Sequence, residues 1–313
     1  MITTLDDILA AVQSEPKKRI AVAVAQDQSV LEAIKQAEER NIADGILVGD
    51  KEAILEAAKA VGLDAGIVDI VHEPSDVKAA RTAAQLVREH QADILMKGLI
   101  HTDDFLRGLL DPEVGLRTGS IMSHVFLLDT KHLGRLTLVT DGAMNIAPDL
   151  LQKGAIIMNA VYLANLLGIE CPKVGVVCAV ELVNPSMPAT MEAAALAVMS
   201  RRGQFPRCIV DGPFALDNAL SVAAAQHKRI ESEIAGQCDI LLMPDIEAGN
   251  MLAKSFTYLA NGRVAGVLVG AAAPVVLTSR ADPADSKLYS IATAVLMAHM
   301  RRDSRLKIGK VHF

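Results

Sequence analysis

Ser279 and Arg280 make the strongest case for chemistry in the sequence. They lie between an apolar run at 275–277 and a helical stretch that starts near Pro283. A strand end followed by a helix start offers backbone amides, a hydroxyl and a guanidinium to one oxyanion, an arrangement suited to phosphate. The plainer alternative has Ser279 bonding nearby backbone and Arg280 paired with a surface acid such as Asp282. Ligands of open parallel sheets bind beyond the carboxyl ends of the strands, so the polar residues that follow each apolar run are the place to search. These are Lys97-Gly98 after 94–96, Thr140-Asp141-Gly142 after 136–139, Glu181 after 174–180, Asp211-Gly212 after 208–210, Pro244-Asp245 after 240–243, and Thr278-Ser279-Arg280. Carboxylates and cations are thereby expected on one rim.

His101, Thr102 and Arg107 follow the Lys97-Gly98 turn and join that rim if a helix begins near Thr102, with the threonine hydroxyl as its cap. Arg107 then reaches toward a phosphate or pyrophosphate; otherwise His101 is a turn residue and Arg107 an exposed helix position. Asp141, Asn145, Asp211, Asp217, Asp245 and Asn250 carry oxygens that suit Mg²⁺ or Mn²⁺. The same residue types make turns and helix caps, and no metal site is assigned to them.

Absent motifs narrow the field. None of the 21 glycines is separated from another by a single residue, so the GxGxxG dinucleotide fingerprint does not occur. Walker A, HExxH and GxSxG are missing too, which removes the P-loop, zincin and serine-hydrolase readings. The four cysteines include no CxxC pair and fall in or beside apolar segments, which marks them as small hydrophobes.

The elements that must position these residues alternate along the chain. Short β-branched runs at 20–25, 46–48, 67–71 and 94–96 are separated by helical stretches at 29–40, 51–60 and 76–90. A second series has strands at 125–128, 136–139, 174–180, 208–210 and 240–243, with helices at 150–167, 189–201, 216–234 and 251–259. Alternation of this kind predicts an α/β protein with mostly parallel sheets covered by helices on both faces. A further strand at 264–270 and a final helix at 287–301 exceed what the second sheet needs and are assigned to the first domain. The expected division is 1–118 plus 264–313 as one α/β/α domain and 119–263 as the other.

Composition sets the class. The chain has 313 residues, 51% of them hydrophobic, and 31 basic against 37 acidic side chains give a net charge of −6, which leaves no electrostatic footprint for nucleic acid. Aromatics make up 3% with no Trp, which disfavours platforms for stacked bases. The apolar run at 264–277 is broken by Gly266, Gly270 and Pro274 and is too short for a membrane span. Residues 1–15 show no basic n-region or cleavage pattern, so a soluble, cytoplasmic protein is expected.

Several stretches together resemble the phosphate acetyltransferase and phosphate butyryltransferase family. They are Gly266-Val267-Leu268-Val269-Gly270, Thr278-Ser279-Arg280 and Ser286-Lys287-Leu288-Tyr289-Ser290, with Met96-Lys97-Gly98, Thr140-Asp141-Gly142-Ala143-Met144-Asn145, Asp211-Gly212-Pro213-Phe214 and Pro244-Asp245-x-x-x-Gly249-Asn250. The compact length and the Met-Lys-Gly and Asp-Gly-Pro forms look more like the butyryl branch. The resemblance implies reversible transfer of a short acyl group between CoA and phosphate, by direct attack in a ternary complex. It also implies a fold like that of isocitrate and isopropylmalate dehydrogenases, with the active site in a cleft between two domains, and a homodimer. The implied substrates are a coenzyme A thioester and phosphate, with no tightly bound cofactor, no metal, and no membrane or nucleic-acid partner.

Carried onto this sequence, Ser279 and Arg280 match the family's active-site pair, Arg280 holding phosphate and Ser279 assisting the CoA thiol. Lys97, His101, Arg107, Asp141, Asn145, Asp245, Asn250 and Ser286 become candidates for binding substrate, CoA or phosphate. The acetyl branch has an aspartate as its proposed thiol base where this chain has Ser286. Asp285 is taken as the catalytic replacement, with Asp282 or the helix N-terminus as alternatives. Because one methylene changes discrimination by only about 1–3 kcal/mol, acyl length is not assigned. Two other classes stay open at this point: a metal- and NAD-dependent decarboxylating dehydrogenase on the related fold, and a non-catalytic CoA sensor.

Overall fold

Short polar side chains at strand ends fix where the helices start. The structure is a computed structural model and describes residues 2–130, 133–300 and 308–312. The chain opens with α1 (Leu5–Gln13), then runs β1 (Lys18–Ala23), α2 (Gln28–Glu39), β2 (Ala43–Gly49), α3 (Lys51–Val61), β3 (Asp69–His72), α4 (Asp76–Arg88), β4 (Ile94–Lys97) and α5 (Thr102–Leu109). Asp27 and Asp50 accept backbone N–H bonds from the first turns of α2 and α3, and Gly62 ends α3 in the left-handed region at φ 67°. Ala79, Ala80, Ala83 and Ala84 give α4 a flat buried face. Helix α5 approaches it so closely that a Cβ on Gly108 would stand 2.8 Å from the Ala80 carbonyl carbon.

The chain continues through β5 (Ser123–Thr130), β6 (Arg135–Thr140), α6 (Leu150–Leu166), β7 (Lys173–Val177), α7 (Pro188–Arg201) and β8 (Ile209–Phe214). Next come α8 (Leu216–Leu220), α9 (Val222–His227), β9 (Ile240–Leu242) and α10 (Ile246–Tyr258), and it closes with β10 (Arg263–Val269), β11 (Val275–Val276) and α11 (Ala284–Met300). Helix α6 is buried on nearly every side from Ile156 to Ala164, which its apolar run without a polar face requires.

Two compact units result. One comprises Leu5–Ser120 with 265–300, the other Ile121–Val264 with the described residues 2–4 and 308–312. The first contains the strand order β3-β2-β1-β4-β11-β10, parallel except for the β10–β11 pair. The second has the order β5-β6-β9-β7-β8, parallel except for the β5–β6 hairpin.

Four local expectations change. The single helix anticipated at 216–234 is two short ones, because Ser221 adopts an extended conformation and its side chain caps α9 through the Ala224 N–H. Strand β7 stops at Val177 rather than 180, where its register against β8 shifts. Helix α10 starts five residues before the expected 251, since Asp245 is its cap and accepts the Ala248 N–H at 2.9 Å. Thr102 is the first helical residue of α5, and its N-cap is His101, which makes no side-chain cap bond. Helix α1, not among the helices expected from the sequence, buries Leu5, Ile8, Leu9 and Val12 at helical spacing.

Candidate active site

In the first unit the chain leaves β1 toward β2, while β4 lies on the opposite flank of β1. Connections therefore diverge at the carboxyl ends of β1 and β4, the place where an open α/β sheet leaves room for a ligand. Two backbone features bring these ends into contact. A Cβ on Gly98 would sit 2.2 Å from the Val24 carbonyl oxygen, so only glycine fits after Lys97. Val24 itself holds φ 57°, a left-handed conformation that costs a β-branched residue about 1–2 kcal/mol. Strand β11 lies parallel to β4 on its other side and delivers Thr278, Ser279 and Arg280 to the same end.

Four cationic or titratable side chains gather here. Lys97 terminates β4 and is only 3% exposed. Arg280 is exposed, with Nη2 3.5 Å from His101 Nδ1 at the start of α5. Lys287, on the first turn of α11, is 1% exposed and donates from Nζ to the Asp282 carbonyl. Burial lowers the Lys97 ammonium from its usual 10.5 to about 8, with repulsion from Arg280 and Lys287 adding to the effect and Asp282 and Asp27 opposing it. Burial also lowers Lys287, again against Asp27 and Asp282. A buried ammonium disfavoured by desolvation and by the nearby Arg280 and Lys287 charges is stabilised by an anion placed beside it.

The segment carrying Arg280 is tied down by its own neighbours. The Ser279 N–H donates to Asp282 Oδ2 at 2.7 Å, and the Ser279 hydroxyl accepts the Ala281 N–H at 3.4 Å. Asp282 thus bonds Ser279 rather than Arg280. Thr278 Oγ1 is buried without a hydrogen-bond partner one residue before the pair, a polar atom facing unfilled demand. Asp285 is exposed in the first turn of α11, and the adjacent Ser286 is buried. Arg107 sits in the last turn of α5, 71% exposed, and its guanidinium engages Asp104 at 2.8 Å. The structure gathers Lys97, His101, Ser279 and Arg280; Arg107 is committed elsewhere.

The second unit holds the remaining four candidates, and their polar atoms are spent on backbone. Asp141, 2% exposed beyond β6, accepts the N–H groups of Ala143, Met144 and Asn145 at 2.9, 3.1 and 3.2 Å. Asn145 Nδ2 donates to Asp141 Oδ2 and, at 2.9 Å, to the Met122 carbonyl. Asn250 Nδ2 donates to the Gly142 carbonyl at 3.0 Å, and Asp245 caps α10. These residues lock the loop after β6 against the start of α10; a Cβ on Gly249 would lie 2.3 Å from the Asp141 carbonyl oxygen.

Comparison with known proteins decides the family. The model described as "Phosphate acetyl/butaryl transferase" matches residues 3–81 and 69–295. The chain is 50% identical over 298 residues to the phosphate butyryltransferase of Clostridium acetobutylicum, covering 95% of this chain and 99% of that one. It is 43% identical over 281 residues to the phosphate acetyltransferase of Thermotoga maritima, covering 90% and 95%. The chain belongs to this family.

Its folded relatives agree. The branched-chain phosphotransacylase from Enterococcus faecalis V583 superposes with TM-score 0.79 at 33% identity, covering 90% of this chain and 99% of that one. A 4-hydroxythreonine-4-phosphate dehydrogenase from Klebsiella pneumoniae, at 12% identity and TM-score 0.54 over 90% and 100% of the two chains, shares the fold alone. Three residues at the β4 end are not singled out as site residues by the sequence. Lys287 is one charge on the helical stripe that it shares with the buried Ile291, Ala294 and Val295. Asp27 follows a strand and precedes Ser29, an N-cap pattern whose carboxylate also faces the two lysines. Thr278 is one of the polar residues after the apolar run at 275–277, but nothing in the sequence marks its hydroxyl as buried without a hydrogen-bond partner.

Proposed function

We propose that the chain interconverts a short-chain acyl-CoA plus phosphate with an acyl phosphate plus CoA, by direct attack within a ternary complex. The observation that carries this reading is the pair of cations Lys97, buried, and Arg280, exposed, at the carboxyl ends of β4 and β11. A phosphoryl group supplies the negative charge that both cations lack. Arg280 and Lys97 hold it, and Ser279 or a nearby amide steadies the acyl carbonyl as negative charge develops on oxygen.

In the direction of thioester formation, the CoA thiol gives its proton to the Asp285 carboxylate, sulfur bonds to the acyl carbon, and the carbon–oxygen bond to phosphate breaks. In reverse, a phosphate oxygen attacks the thioester carbon and the thiolate recovers the proton. Asp285 is the better placed of the two nearby acids, because Asp282 is held by the Ser279 amide while Asp285 faces solvent. No tightly bound cofactor takes part, and the charged substrates place the reaction in the cytoplasm. His101 adds a third contact for the phosphoryl group beside Arg280. Within this reading Ser286 contacts CoA from α11, Arg107 does so by exchanging its Asp104 partner for a CoA phosphate, and Asp141, Asn145, Asp245 and Asn250 stand as substrate-binding candidates of the second unit. Exposed Leu182, Val183, Met187 and Met191 give the second unit an apolar face for a homodimer.

The test is CoA release from acetyl-, propionyl- and butyryl-CoA, with and without phosphate, in the wild type and Arg280→Ala. Phosphate-dependent release that falls by about 10²–10³-fold or more in the variant is expected. Release from no donor, or undiminished release in Arg280→Ala, overturns the reading.

A further inference from the structure

Lys287 is the most deeply buried ammonium at this site, and the reaction as written does not use it. At 1% exposure it lies one helical turn inside α11, on the face that also buries Ile291 and Ala294. A charged group there is costly unless it does something for its neighbours. Its Nζ donates to the Asp282 carbonyl, five residues back. Asp282 Oδ2 in turn takes the Ser279 N–H at 2.7 Å, and Ser279 Oγ takes the Ala281 N–H. Arg280 therefore presents its guanidinium from a turn pinned at both ends. The same ammonium repels Lys97 across the site, and Asp27, the cap of α2, attracts both lysines.

We propose that Lys287 is a positioning residue for phosphate capture: buried in α11, it holds the Ser279–Asp282 turn that aims Arg280, and its ammonium adds a third positive charge to the side of the site that a phosphate meets. The inference rests on the reading of this site as a phosphate site. Without Lys287 the turn loses its anchor, so Arg280 is presented less often in its binding pose. Lys97, relieved of one repulsive neighbour, keeps its proton to higher pH. The groups that then act on Lys97 are Arg280, which repels it, and Asp282 and Asp27, which attract it, while His101 stands beside Arg280.

Two neutral substitutions separate the roles. Lys287→Met removes charge and donor at near-constant volume, whereas Lys287→Gln keeps an N–H donor one bond shorter. Lys287→Arg keeps both charge and donors. The measurements are inorganic phosphate binding by calorimetry, KM for phosphate in phosphorolysis of butyryl-CoA, and the alkaline limb of the kcat/KM profile.

Lys287→Met is expected to raise the phosphate KM by about 10-fold or more, the worth of a charge-assisted bond. The alkaline limb should move upward by on the order of 0.5–1 pH unit, the effect of one like charge removed in a partly screened site. Lys287→Gln should move the limb equally with a smaller rise in KM, and it carries the test alone if Lys287→Met does not fold. Lys287→Arg should leave the limb in place and restore much of the phosphate affinity. A limb that stays where the wild type has it in both neutral variants, with unchanged KM, overturns the proposal while the phosphate site stands. A wild type that binds no phosphate and shows no phosphate-dependent release overturns the underlying reading instead.

Discussion

Replacing Lys97 with methionine is expected to make the protein more stable and to disable it. In the unfolded chain the ammonium titrates near 10.5; in the folded state burial, Arg280 and Lys287 lower it to about 8. Above pH 10.5 the amine is neutral in both states and burial costs it no charge. As pH falls from 10.5 toward 8, the unfolded chain takes up a proton that the folded chain declines, and stability drops. Below about pH 8 the full penalty is present, and at about 1.36 kcal/mol per unit it amounts to about 3 kcal/mol. Little of this is screened by solvent, since Lys97 is only 3% exposed. Methionine matches the length of the lysine stem without its charge, so Lys97→Met should gain about 3 kcal/mol at pH 7, and the gain should vanish toward pH 10.5.

Urea unfolding at pH 7 and pH 10 reads that difference directly. The functional half of the prediction comes from the opposite sign of the same interaction. A phosphate dianion beside Lys97 favours the ammonium, so phosphate binding to the wild type near pH 9 takes up a proton. Calorimetry in two buffers of different ionisation enthalpy counts it. Lys97→Met should show neither proton uptake nor high affinity, giving a variant that trades binding for stability. Equal or lower stability of Lys97→Met at pH 7, or a difference that does not shrink as pH rises, refutes the claim that a destabilised, buried ammonium sits at this site.

Three further substitutions test the frame around it. Gly98→Ala places a Cβ 2.2 Å from the Val24 carbonyl oxygen, against backbone that has nowhere to move, so a loss of several degrees in Tm or of soluble protein is expected. Asp141→Ala leaves three backbone N–H groups of the loop after β6 without their acceptor and should cost about 1–3 kcal/mol in urea unfolding. Asp285→Asn keeps shape but accepts no proton; kcat for thioester formation should fall by about 10²-fold or more while the phosphate KM holds, and an unchanged kcat returns the base to another group.

What could be read from the sequence divides along a physical line. Apolar runs ending in polar residues located the ends of β4, β6, β9 and β11, because burial in a parallel sheet demands continuous hydrophobicity whatever the surroundings. Ser279 and Arg280 could be placed from the sequence as well, between β11 and α11, and a hydroxyl and a guanidinium in that position make an anion site a natural proposal. The carboxylates of the second unit were visible as residues but not as roles. Asp141 and Asp245 look alike in sequence, and only hydrogen-bond geometry shows one closing a turn and the other capping α10. Least legible was the state of Lys97. Its charge depends on Arg280, Lys287, Asp282 and Asp27, which lie between 70 and 190 positions away along the chain and meet only because β11 returns beside β4. A lysine at the end of a strand is an ordinary residue; a lysine there, with two other cations packed around it by a crossover from the far end of the chain, is a group waiting for an anion. On the proposed reading, affinity for phosphate is a property of the topology, and a change to Lys287 or Asp27 is expected to alter it without touching the ligand.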